Sequence, residues 1–163
     1  MLYLVIKWIH VLSSVVLVGT GFGTAFYLFS ANRSGNLHAQ AVVARLVVRA
    51  DFWFTTPAGF IQPISGVAMM HLAGWPLTTP WLLWSIVLYG VTGALWLPVV
   101  WLQMRMARMA GDAVRNHHRL PDLYWRYARR WEALGYPAFL AMVVVFYLMV
   151  VKPVSWADAW PFA

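Results

Sequence analysis

The chain begins MLYLVIKWIHVLSSVVLVGTGFGTAFYLFS, and within this apolar run stand Lys7 and His10. An ionisable side chain inside a membrane segment is costly and usually has a task, so these two residues are the first candidates for chemistry. His10 lies about eight residues in from the start of the run, roughly 10 Å deep at 1.5 Å per residue. An imidazole at that depth suits the iron of a haem, with Lys7 one turn nearer the surface as a cation for propionates. The competing reading is structural: His10 bonds a hydroxyl across the helices, and Lys7 reaches out to the headgroups. His71, with Met69 and Met70 beside it, ends a later apolar segment that antiparallel packing would bring beside the first. His71 and Met69 are therefore the candidate second ligands, although an ideal helix sets His71 about 180° from the face holding Met69.

The elements that must hold these residues are set by composition. Hydrophobic residues make up 62% of the 163 and charged residues 10%, with eleven tryptophans. A soluble domain carries roughly a quarter charged residues, so the solvent of this surface is lipid. The absence of cysteine rules out disulfides and thiolate metal sites. A bilayer core of ~30 Å takes about 20 apolar residues per helix. Four segments meet that length, at residues 2–29, 52–72, 81–104 and 134–151. The fold expected is a single all-α domain over 1–163, an integral membrane antiparallel four-helix bundle.

The net charge is +7, and seven of the twelve basic residues lie between Arg105 and Arg130. In a membrane chain such a cluster marks orientation and lipid headgroups rather than nucleic acid. Segments 30–51 and 105–133 carry the arginines and are expected in the cytoplasm; the uncharged turn AGWPLTTP and both termini then face the periplasm. Trp75, Trp81, Trp156 and Trp160 fall where an outer aromatic belt belongs. Residues 37–49 form an amphipathic stretch, read as a surface-lying helix or an extension of the second span, with Leu37, Ala41, Ala44 and Val48 on one side.

Helical spacing gives each span a polar face. These are Tyr3, Lys7, His10 and Ser14 on the first, then Asp51, Thr55, Ala58, Gln62 and Met69 on the second. The third has Ser85, Tyr89, Thr92 and Trp96, and the fourth Tyr136, Leu140, Val143 and Tyr147. Gly19 and Gly23 form a small-xxx-small pair expected to serve helix packing. Asp51 is expected to pair with Arg49 or Arg45, the alternative being a way in for protons. His117 and His118 point about 100° apart on a helix and read as solvated rather than as a metal pair.

The segments MLYLVIKWIHVL, GTGFGTAFY, DFWFTTPAGFIQPISG, LAGWPLT, WLPVVWLQMRM and LGYPAF together resemble an uncharacterised bacterial integral inner-membrane family. That resemblance implies four spans in the cytoplasmic membrane and little chemistry. The Lys7-Trp8-Ile9-His10 pattern is similar to the first helix of HemJ-type protoporphyrinogen oxidases, small four-span proteins that bind haem b. By that resemblance His10 is an axial ligand. The HemJ type also needs a lysine on its third helix, whereas this chain has only Lys7 and Lys152, with Arg105 the nearest cation. Haem binding is thus implied and protoporphyrinogen oxidation is not. The function expected is electron transfer or oxidoreduction through haem b, with a membrane quinol or another membrane redox protein as redox partner and with membrane lipids and a second copy as further partners. A cofactor-free scaffold or accessory subunit, working through its basic segment, is the alternative.

Overall fold

The computed structural model describes residues 1–155, so Trp156 and Trp160 of the expected aromatic belt lie outside the described residues. The elements are α1 (Leu2–Arg33), α2 (Leu37–Ala50), a π-helical turn (Asp51–Thr55), α3 (Thr56–Ala73), α4 (Pro80–Arg115) and α5 (Asp122–Val151). No strand occurs among the described residues. Helices α1, α4 and α5 are each long and apolar enough to cross a membrane. At 1.5 Å per residue α4 is about 54 Å long, well beyond a ~30 Å core.

The arginine-rich segments are therefore largely helical. α4 runs on to Arg115 and α5 starts at Asp122, leaving a short connection around Pro121. Pro121 stands at the N-cap of α5, where a proline blocks helix on its N-terminal side. Between α1 and α2 the chain turns at Gly35, whose φ of +67° favours glycine. Asn36 then caps α2, its side chain accepting from the Ala39 N–H at 3.1 Å.

α2, the π turn and α3 follow one another without a break, so the amphipathic stretch is continuous with α3 instead of forming a separate surface helix. The π turn has a local cause. Pro57 has no N–H, and its ring would press on the carbonyl four residues back, so the preceding turn widens. The Thr56 N–H bonds the Asp51 carbonyl, five residues away, and the Thr56 hydroxyl reaches the same oxygen at 2.8 Å.

Packing divides the molecule into two ends. At the basic end α2 lies on α4 through small residues, with Ala41, Ala44 and Val47 buried on one helix and Met106, Ala110 and Ala113 on the other. Val47, not Val48, completes the buried face of α2. Leu28, Tyr124, Ala128 and Trp131 join this core from α1 and α5. Toward the other end α1 runs along α3, and α4 along α5. A smaller cluster of Trp81, Leu82 and Leu148, with Met70 against it, closes that end. Trp81 is thus a core residue and not part of a belt, with Trp75 edge-on against it at 5.8 Å.

Two expected faces are corrected. On α5 the residues Tyr136, Leu140, Val143 and Tyr147 are exposed, and Met142, Val145 and Leu148 are buried instead. Tyrosines there mark a lipid-facing side, where the ring body is apolar, and not a polar interior. A Cβ added at Gly19 or Gly23 would meet nothing within 4 Å, so that pair is not a close-packing surface.

Candidate functional site

The α1–α3 seam brings His10 against Gln62, Ser65 and Gly66. His10 Nδ1 lies 2.9 Å from the Ser65 hydroxyl, which itself donates to the Ile61 carbonyl at 2.6 Å. With its one proton committed, Ser65 accepts from Nδ1–H, and the Nε2 lone pair is left outward. Gln62 Nε2 approaches that nitrogen at 3.3 Å, the long end of hydrogen bonding. The Gln62 carbonyl oxygen is held in turn by the Ser13 hydroxyl at 2.5 Å. Gly66 makes room for the ring: a Cβ there would stand 3.3 Å from His10 Cε1.

The other candidates do not converge on this ring. Lys7 is exposed, and His71 is exposed five residues, about 7.5 Å, beyond Gly66 along α3. Met69 is half-buried, and neither it nor His71 is a hydrogen-bond partner of His10. No group of three His, Cys, Asp or Glu side chains able to hold a metal occurs among the described residues.

A second polar centre sits at the foot of α3. Asp51 is 4% exposed and is held by Thr55 Oγ1, which donates to its Oδ1 at 2.8 Å. The Gln103 amide faces a carboxylate on one side and an indole N–H on the other. Oriented to suit both, its nitrogen donates to Asp51 Oδ2 at 2.6 Å and its oxygen accepts from Trp131 Nε1 at 3.2 Å. The expected pairing with Arg49 or Arg45 is not found: the ion pairs among the described residues are Arg33–Glu132 and Arg115–Asp112, and both arginines are exposed while Asp51 faces inward.

Along the π turn and α3 the inner side thus carries Asp51, Thr55, Gly59, Gln62 and Ser65 in turn, spanning about 21 Å, with Gly59 and Gln62 half-buried and the others buried. The sequence pattern does not single out Ser13, Ser65, Gly66, Gln103 or Trp131. Gln103 was within reach, since it continues the Ser85, Tyr89, Thr92, Trp96 spacing two turns further along α4.

Comparison with known proteins decides the broad class. A family model described as "Predicted integral membrane protein (DUF2269)" matches residues 4–153. The chain belongs to that family. No curated protein matches it, and no solved structure does. Within this integral membrane family the exposed apolar surface of α1, α4 and α5 is the lipid-facing surface, and the two buried polar centres are the features that lipid packing alone does not require.

Proposed function

We propose that the protein is a haem b-binding redox protein of the bacterial inner membrane, in which His10 would hold the iron. The observation that carries this reading is the state of the imidazole. Its Nδ1–H is fixed by Ser65, which leaves Nε2 as the electron-pair donor, and metal-bound histidines are oriented by such a partner on the other nitrogen. A haem would be held through this one imidazole, and only once Gln62 has swung off Nε2. Met69 is better placed than the exposed His71 to approach as a second ligand, and Lys7 would serve an outward-facing carboxylate. The bound group would supply one-electron transfer, and a quinol reaching the bundle through lipid is the donor class consistent with the setting.

The topology proposed with it has four crossings. α3 with its π turn packs antiparallel along α1 and is the fourth, and the arginine-bearing ends of α1, α2, α4 and α5 face the cytoplasm. The N-terminus and the end of α5 then lie on the periplasmic side.

One observation favours the second reading, a cofactor-free scaffold: both nitrogens of His10 have partners within the chain. The absorption spectrum of protein purified from cells supplied with haem precursor separates the two. A Soret band that shifts on reduction and is lost in His10→Ala supports haem. A colourless, folded preparation overturns it and leaves the scaffold.

A further inference from the structure

We infer that the N-terminal part of α5 carries a binding site for a phospholipid whose headgroup bears two phosphates, a site independent of the His10 reading. Arg126, Arg129, Arg130 and Ala133 occupy i, i+3, i+4 and i+7 of one helix face and line a depression of about 240 Å³. All three arginines are exposed, and none is within ion-pair distance of a carboxylate among the described residues. The neighbouring acid Glu132 is engaged by Arg33 at 3.3 Å, and Asp122, one turn before Arg126, forms no ion pair with it. Each guanidinium can fork onto two phosphate oxygens, and three of them around one hollow exceed what a single negative charge would satisfy.

The same face says what the rest of the ligand is. Beyond Ala133 it continues with Tyr136 and Leu140, 61% and 63% exposed, and then Val143, Val144 and Tyr147, all exposed. Tyr136 to Tyr147 spans about 16 Å, close to the ~15 Å tail layer of one leaflet. Charge at one end and an uncovered apolar stripe at the other is the shape of a lipid, whereas an acidic protein segment would leave the stripe unused. Ala133 matters because its small side chain leaves the hollow open.

The test is lipid retention by the full chain in nanodiscs, read by native mass spectrometry. Discs contain a neutral phospholipid with either a diphosphate phospholipid or a mono-phosphate anionic one, matched in total charge. The expected result is at least ~10-fold preferential retention of the diphosphate lipid. That preference falls to near unity in Arg126→Gln/Arg129→Gln/Arg130→Gln and falls also in Ala133→Phe, which fills the hollow without altering charge. A control removing equal charge elsewhere, Arg45→Gln/Arg49→Gln/Arg115→Gln, keeps it. Equal retention of the two lipids, or equal loss in the control, means a diffuse basic field and overturns the site. Retention of an acidic peptide in place of lipid overturns it as well.

Discussion

The Tyr89 hydroxyl donates to the Gly59 carbonyl at 2.7 Å, across from α4 to α3. Gly59 is the residue whose carbonyl would ordinarily accept from position 63, and position 63 is a proline. Tyr89 therefore supplies the donor that Pro63 removes, which tells why a proline is tolerated inside a helix surrounded by lipid. It also ties α3 to α4 where their backbones otherwise stay apart.

Removing the hydroxyl should leave that carbonyl without a donor. Tyr89→Phe is expected to destabilise the protein by about 1–3 kcal/mol. In a Pro63→Ala background the helix supplies its own N–H, so the same change should be close to neutral. Thermal unfolding of the four species in one detergent gives the coupling; equal losses in both backgrounds would remove the link between Pro63 and Tyr89.

The Asp51 centre predicts the effect of an amide in place of the carboxylate. Asp51→Asn makes Gln103 turn its oxygen toward the new amide and away from Trp131, at a cost of about 1 kcal/mol. A thermal midpoint unchanged in Asp51→Asn would show that the Gln103 amide does not bridge Asp51 and Trp131.

How far the sequence reached is clearest at these two centres. The polar face of α3 and the inward Ser85–Trp96 face of α4 follow from helical period and hydropathy, which act along one helix. The partner of Asp51 did not follow, because two arginines nearby in sequence obscured a glutamine 52 positions away. On α5 the period is present but does not carry its sign: in lipid an exposed tyrosine and a buried methionine are both favourable, so polarity does not decide which side turns inward. The glycines of α1 were conspicuous and have open space about them, while Gly66, unremarked, is the one a histidine fills.

Gly66 gives the next prediction. Gly66→Ala gains helix propensity of roughly 1 kcal/mol but places a methyl 3.3 Å from the His10 ring. Overpacking at a seam costs about 1–3 kcal/mol, so the net effect should be a loss in the wild-type background and a gain when His10 is already alanine. A thermal midpoint that rises in both backgrounds would mean that the ring yields freely.

The hydrogen-bond chain Ser13–Gln62–His10–Ser65 fixes the imidazole as its Nδ1–H tautomer, because Ser65 has given its proton to the Ile61 carbonyl and must accept. Nitrogen-15 spectra of the selectively labelled histidines should place the proton of His10 on Nδ1 when no ligand is bound. In Ser65→Ala the ring loses that acceptor, and a mixture of tautomers is expected. The Ser13→Ala change acts one bond further away: it frees the Gln62 amide to rotate while leaving Nδ1–H in place. A wild-type proton found on Nε2 would reverse the direction of the whole chain and take the preset donor nitrogen, and with it the case for His10 as a ligand, out of the argument.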